Sequence, residues 1–301
     1  MTVVVKSFSK FYGSQKAVDS ASFTLNKGEI TGFIGPNGSG KSTTMKAICG
    51  LLEPDEGTIE IIEDSTPDKQ VLDEKNIGFL PESNPLYYDL YIKEYLLNVA
   101  RMYKVKNPSA RVEEIMKLTG LDSEKKKKIG QLSKGYKQRV GIAQALVHDP
   151  EILILDEPTT GLDPNQLVEV RALIKKISKN KTVLLSTHIL QEVEAICDRV
   201  LMIHNGKIVK DASTSEILKQ DNASSVIVEF KNPVTDSELK NIKGLINFRK
   251  VENKWLIEGR SDVDIRDSIF DFAQESNNRI LELQTKNKRL EEVFKEYSSK
   301  T

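Results

Sequence analysis

Gly35-Pro36-Asn37-Gly38-Ser39-Gly40-Lys41-Ser42 stands between a short apolar run, Glu29–Ile34, and a stretch in which Met45, Ile48, Leu51 and Leu52 recur at helical spacing. It has the form G-x4-G-K-[ST], with the strand before and the helix after that this motif requires. Glycines let successive backbone N–H groups wrap an anion without Cβ clashes. The N-terminus of the following helix adds partial positive charge. Lys41 is placed to reach the outer phosphates of a polyphosphate, and the Ser42 hydroxyl to ligate Mg2+. Pro54 and Gly57 are expected to stop the helix. The stretch therefore predicts a polyphosphate site at a strand end of an α/β sheet.

Ile152–Leu155 is a second apolar run, polar on neither face, followed by Asp156-Glu157-Pro158. Thr182–Leu185 and Val200–Ile203 read the same way. Such runs suit parallel strands buried on both sides, and their alternation with helical patterns predicts a doubly wound α/β sheet. Asp156 then ends a buried strand, where open sheets of this kind hold ligands. It suits Mg2+ coordination through water, and Glu157 stands where a base acts on a water molecule. Val3–Val5 and the alternating Ala21, Phe23 and Leu25 predict further strands near the N-terminus.

Residues from about 90 to 132 are helical by pattern, with Tyr91, Tyr95 and Ala100 on one stripe. Val112, Ile115, Met116 and Leu118 form another, and Pro108-Ser109 can open that second helix. This part reads as a helical insertion in the α/β domain. Composition changes near Gln220. Beyond it the expected order is strand Val226–Phe230, short helix Thr235–Lys240, strands Leu245–Lys250 and Lys254–Glu258, helix Val263–Glu275, strand Arg279–Gln284 and a final helix from Leu290. The order βαββαβ resembles a ferredoxin-like half-sandwich. The expected domains are 1–220 and a small α+β domain over 221–301.

Composition excludes several function classes. The chain has 301 residues with 44 basic and 44 acidic side chains, and 39% hydrophobic content, enough for packed cores. Residues 221–301 carry 14 basic and 15 acidic residues, so neither part is strongly charged. That balance argues against a nucleic-acid coat or a polybasic membrane binder. No apolar run approaches the roughly 18–20 residues of a membrane helix, and Met1–Lys10 is too short in apolar character for a signal peptide. Two cysteines, Cys49 and Cys197, exclude a disulfide framework, fit a reducing compartment and lie in apolar patterns as buried small hydrophobes. His148 and His204 lack metal-ligand spacing. Lys125–Lys128 reads as a solvated loop, and Trp255 as core of the second domain.

Further motifs follow in order: Leu132-Ser133-Lys134-Gly135-Tyr136, Gly161-Leu162-Asp163 and Ser186-Thr187-His188. With the phosphate loop and Asp156-Glu157, they make the chain over residues 1–220 resemble the ATP-binding-cassette ATPases. They look like that family's signature, D-loop and switch-histidine segments. Tyr12 stands where the family has an aromatic that stacks on adenine, with Phe11 as the alternative. The resemblance implies a P-loop NTPase cassette that hydrolyses ATP with Mg2+. It implies a head-to-tail dimer of two copies with ATP in the interface. Each ATP would be held by Gly35, Pro36, Asn37, Gly38, Ser39, Gly40, Lys41, Ser42 and Thr43 of one copy, and by Ser133 and Gly135 of the other. Asp163 would cross the interface, His188 would contact the γ-phosphate, Glu157 would polarise the attacking water, and Ser42, Asp156 and Glu82 would hold Mg2+. The implied partner is an integral-membrane permease, contacted around Glu82–Tyr91 and the helical insertion. It would place the chain at the cytoplasmic face of the membrane, with no role for nucleic acid.

Two departures stand out. Glu82, in Phe79-Leu80-Pro81-Glu82, occupies a position where the family commonly has glutamine. Lys134 and Tyr136 vary the signature, as is familiar among exporter-type cassettes. Pro81–Tyr91, with Leu132–Arg139 and Gln166–Glu169, is similar to cassette subunits linked to bacterial gliding motility. Arg289–Phe294 is similar to the end of long exporter cassettes that serve type-2 permeases. A soluble, non-transport cassette is the rival reading. Its ribosome-acting members usually carry two cassettes, and its repair members a long coiled coil for which Ser42 to Ser133 leaves no room.

Overall fold

The apolar runs become the middle strands of a six-stranded sheet. A computed structural model describes residues 1–63, 66–70, 74–220, 225–260 and 264–285. The chain divides into two compact units between Ser213 and Thr214, ahead of the Gln220 boundary expected from composition. The first unit contains β1 (Thr2–Tyr12), β2 (Gln15–Leu25), β3 (Ile30–Ile34), α1 (Lys41–Ile48), β4 (Glu56–Glu63), β5 (Thr66–Gln70) and β6 (Ile77–Leu80). It continues with α2 (Ile92–Met102), α3 (Pro108–Leu118), α4 (Lys134–Leu146), β7 (Ile152–Asp156), α5 (Pro164–Ser178), β8 (Thr182–Thr187), α6 (Leu190–Ile196), β9 (Arg199–His204) and β10 (Lys207–Ser213).

Strand order in the six-stranded sheet is β10-β9-β3-β8-β7-β6, parallel except for the edge strand β10. Every residue of β3, β7 and β8 is buried. Fully burying each Leu, Ile, Val or Phe there contributes about 1.5–3 kcal/mol, which outweighs the weak strand preferences of Ser186 and Asp156. A second, antiparallel sheet of order β2-β1-β4-β5 supplies Val3, Val5, Phe8, Phe23 and Leu25 to a core shared with Met45 and Ile48 of α1 and with Phe33, Ile154 and Leu184 of the parallel sheet. On the other face of the parallel sheet, α6 lies so close to β3 that a Cβ on Gly32 would stand 2.9 Å from Cys197 Sγ. Burial pushes the Cys49 thiol up to about 12 and raises that of Cys197 as well, so both are inert apolar packers.

Several elements differ from the sequence reading. The first helix ends at Gly50, not at Pro54: Gly50 has φ +71°, and the Leu51 N–H reaches back to the Lys46 carbonyl at 2.9 Å. This is a left-handed glycine cap, and it leaves Leu51 exposed, off the apolar stripe. Tyr91 likewise precedes α2, whose Glu94 side chain accepts the Tyr91 N–H at 3.1 Å, and Ile92 takes the buried position. In the helical part, α2, α3 and α4 pack on one another, with Val112, Ile115 and Met116 buried and Leu118 half-buried. Lys125–Lys128 are all exposed.

The second unit contains α7 (Thr214–Gln220), β11 (Ser225–Phe230), α8 (Asp236–Leu239), β12 (Leu245–Val251), β13 (Lys254–Gly259), α9 (Ile265–Glu275) and β14 (Ile280–Thr285). Its sheet is antiparallel with order β12-β13-β11-β14, the split βαβ arrangement of a ferredoxin-like half-sandwich. Trp255, Val228 and Ile257 of one sheet face pack with Ile269 and Phe272 of α9. The helix expected from Leu290 and the segment Arg289–Phe294 lie outside the described residues.

Gly78 of β6 faces α4 at a distance that admits no side chain: a Cβ would lie 2.0 Å from the Ala145 carbonyl oxygen and 2.8 Å from Pro150 Cγ. Gly78→Ala is therefore expected to destabilise the first unit by about 2–3 kcal/mol, read as a lower denaturant midpoint. An unchanged midpoint would contradict this packing.

Candidate functional site

Parallel register decides which residues share the carboxyl edge of the sheet. Ile34 pairs with Thr187 and Asp156 with Ser186, so β3, β8 and β7 end together. The three chain segments that follow, from Gly35, His188 and Glu157, start at one edge, where open α/β sheets hold ligands. They enclose a cavity of about 290 Å³ lined by Ala17, Asn37, Gly38, Gly40, Lys41, Ser42, Thr43, Glu82, Asp156, Glu157, Thr160 and His188.

The loop after β3 is built for close approach. Gly40 has φ +109° and caps α1, and a Cβ there would lie 2.6 Å from the Ala17 carbonyl oxygen. A Cβ on Gly35 would lie 2.3 Å from the Ile203 carbonyl oxygen. The Ser39 hydroxyl is buried without a hydrogen-bond partner. A glycine loop that lines the cavity with Gly38 and Gly40, at a helix N-terminus and beside the buried Lys41, fits a polyphosphate. Lys41 is buried and folds back, donating to the carbonyl oxygens of Gly35 at 2.8 Å and Pro36 at 3.1 Å. Burial pushes the Lys41 ammonium down from its ordinary pKa, against the pull of the Glu157, Asp156 and Glu82 carboxylates.

Asp156 and Glu157 are also buried. Ser186 ties them: its hydroxyl donates to Asp156 Oδ1 at 2.5 Å and accepts the Glu157 N–H at 2.9 Å. Glu157 has φ +51°, a left-handed conformation that costs a non-glycine residue on the order of 1 kcal/mol. That turn aims its carboxylate at His188 and Thr160. His188 Nδ1 lies 2.9 Å from Glu157 Oε2, and the Thr160 hydroxyl donates to the same oxygen at 2.8 Å. Thr160 belongs to none of the quoted motifs, and Ser186 stands in the switch-histidine motif without a role of its own; their signal is position, three residues after Glu157 and two before His188. Among the described residues, no cluster of three or more His, Cys, Asp or Glu is arranged to hold a metal ion by itself. Ser42 and Asp156 supply oxygen donors suited to Mg2+, which commonly completes its shell with phosphate and water.

The remaining sequence-predicted residues do not line this cavity. Ser133 caps α4, accepting the Tyr136 N–H at 3.4 Å, and Asp163 caps α5, accepting the Gln166 N–H at 2.9 Å. These two helix starts adjoin, since a Cβ on Gly135 would meet the Gln166 side chain at 2.4 Å. Tyr12 ends the first strand of the β1–β2 hairpin with half its surface exposed, while Ala17 on the returning strand lines the cavity. Phe11 instead carries the Lys16 ammonium over its ring at 5.4 Å.

Residues 18–160 match the family model described as "ABC transporter". The chain is 40% identical over 227 residues to the bacitracin transport ATP-binding protein BcrA of Bacillus licheniformis, covering 73% of each chain. The chain belongs to the ATP-binding cassette family of ABC transporters. It is also 35% identical to the Nod factor export ATP-binding protein I of Burkholderia orbicola, over 72% of this chain and 73% of that one. Among solved structures, the dimeric bacterial ABC transporter cassette MJ0796 superimposes with a TM-score of 0.62 at 27% identity, over 70% of this chain and 98% of that one. The cassette is thus the ATP-binding subunit of an ABC transporter.

Glu82 is the departure with a direct electrostatic consequence. It lines the cavity beside Lys41 and adds a carboxylate to those of Asp156 and Glu157. Glu82→Gln is expected to shift the Mg2+ concentration that supports half-maximal ATP turnover. Superimposable Mg2+ titrations of parent and variant would contradict a role for that charge.

Proposed function

We propose that the cassette hydrolyses ATP in a head-to-tail dimer of two copies and so powers export through a separate membrane permease. The observation that carries this reading is the convergence of Lys41, Ser42, Asp156, Glu157 and His188 on one cavity. Backbone N–H groups of residues 37–43 would hold the phosphates, with Lys41 swinging from the Gly35 and Pro36 carbonyls to the outer ones. Tyr12 would stack on the adenine, a role favoured by its exposed ring and by the occupation of Phe11 by Lys16. Ser42 and Asp156, with Glu82 beside them, would hold Mg2+, which when bound neutralises phosphate charge. Glu157 would accept a hydrogen bond from the attacking water and orient it, while His188 and Thr160 keep its carboxylate in place.

The dimer is supported by what the cavity lacks. Ser133 and Asp163 are exposed and outside their own site, on helix starts that adjoin, and Val168 on α5 is exposed as well. That surface suits presentation to a second copy, as does the likeness to a dimeric cassette. A permease is supported by a separate groove of about 320 Å³ that includes Leu51, Phe79, Pro81, Tyr103 and His148 among its lining. The exposed Leu51, Tyr87 and Met102 are apolar surface of the kind that marks a protein contact. Among the described residues, no helix is long and apolar enough to cross a membrane. The permease would therefore bring the cassette to the inner membrane face. Export rests on the tail segment Arg289–Phe294 and on the name of the Nod factor relative. The finer likeness, to cassettes linked to gliding motility, rests on Pro81–Tyr91, Leu132–Arg139 and Gln166–Glu169, and neither relative reported above is named for it.

Glu157→Gln keeps the shape of the site and removes the basic oxygen. It is expected to bind ATP, to lose turnover by about 10²-fold or more, and to accumulate as an ATP-dependent dimer by size-exclusion chromatography. Turnover at the parent rate would remove Glu157 as the residue that orients the water.

A further inference from the structure

Two segments converge on the Glu157 carboxylate, and one side chain behind them grips both. Glu192 of α6 is fully buried and lines no part of the cavity. Its Oε2 accepts a hydrogen bond from the Thr159 hydroxyl and a second, at 3.0 Å, from the Thr187 hydroxyl. The residue after each of these threonines holds Glu157: Thr160 after Thr159, and His188 after Thr187. Thr187 Oγ1 also accepts the Ile189 N–H at 3.0 Å, which fixes the backbone on both sides of His188.

Burying a carboxylate is costly unless charge and hydrogen bonds answer it. Arg171 Nη2 stands 3.9 Å from Glu192 Oε1, and Arg171 Nε and Glu192 Oε1 are both buried without a hydrogen-bond partner. Arg171 belongs to α5, the helix that Asp163 caps. A carboxylate can take two hydroxyl donors on one oxygen and a guanidinium on the other. A glutamine at this position keeps only one acceptor oxygen: turned toward the threonines it leaves its NH2 facing the Arg171 guanidinium, and turned toward Arg171 it makes the threonine hydroxyls accept where they now donate.

We propose that Glu192 is a positioning residue for ATP hydrolysis: its buried carboxylate sets the spacing of Thr159–Thr160 and Thr187–His188, and through them the aim of Glu157. Arg171 ties that arrangement to the helix that starts at the D-loop. The inference rests on the reading of the cavity as an ATP-hydrolysing site. Misplacing a reacting group by about 1 Å costs up to about 10²-fold in rate, so small slack behind Glu157 reaches the chemistry.

The test is steady-state ATP hydrolysis by the full chain, comparing parent, Glu192→Gln, Thr187→Ser and Thr187→Val. Glu192→Gln and Thr187→Val are expected to lower kcat by about 10- to 10²-fold. KM for ATP should stay within about threefold, because the phosphate loop is untouched. Thr187→Ser should retain the parent kcat, and the double variant Glu192→Gln/Thr187→Val should lose less than the product of the two single effects, since the two residues share one contact. A parent chain without ATP turnover would remove both this inference and the reading beneath it. A parent that turns over, with Glu192→Gln at the same kcat or losing kcat only in proportion to lost folded protein, would overturn this inference alone. If Glu192→Gln does not fold, Thr159→Ser and Thr159→Val decide, since the Thr159 hydroxyl donates to Glu192 and does not hold Ile189: equal kcat for Ser and Val overturns it, and a fall confined to Val supports it.

Discussion

The register of three parallel strands is the constraint on which the site depends. β3, β8 and β7 are buried on both faces, so slipping one by a residue would exchange the contents of two packed layers. The pairing Ile34 with Thr187 and Asp156 with Ser186 is therefore fixed by packing, not by the polar residues themselves. Those polar residues inherit their positions. The phosphate loop, the Asp156-Glu157 pair and His188 face one cavity because their strands end level.

Electrostatics at that edge are finely opposed. Three carboxylates, Asp156, Glu157 and Glu82, surround one buried ammonium, Lys41. Charge alone would repel a polyphosphate. What favours one is the fixed set of N–H dipoles in the glycine loop and at the start of α1, which need no rearrangement when an anion arrives. The carboxylates are held by donors that fix their direction: Ser186 on Asp156, and Thr160 and His188 on Glu157. A left-handed Glu157 backbone persists because the strand end and the Ser186 hydroxyl together determine it.

Local chemistry was legible in the sequence wherever one short segment carries it. Gly35–Ser42, the acidic end of Ile152–Asp156 and the βαββαβ order after Ser225 each announce themselves by spacing or alternation. Less legible was structure whose reason lies elsewhere in the chain. β6 is only Ile77–Leu80 with a glycine in it, and it is a strand because β7 lies beside it and α4 presses on Gly78. β4 carries Glu56, Glu60 and Glu63, and pairing with β1 overrides their weak strand preference. The end of α1 is hidden in the sequence because Leu51 and Leu52 continue the apolar spacing past Gly50, whose left-handed conformation ends the helix. Glu192 looks like one more surface acid of an amphipathic helix. Only the fold brings Thr159 and Thr187 to it.

Asp163 and Ser133 spend their side chains on helix N-caps within their own chain, and their positions outside the cavity fit a site completed by a second copy. The most direct test of the central claim, that the strand edge forms an ATP site through its glycine loop and Lys41, is calorimetric binding of ATP with Mg2+ to the full chain and to Lys41→Ala. Saturable binding by the parent, weakened about tenfold or more in the variant by loss of a charge-assisted contact, is the predicted result. Absence of binding by the parent, or equal affinity in the two chains, would contradict the account.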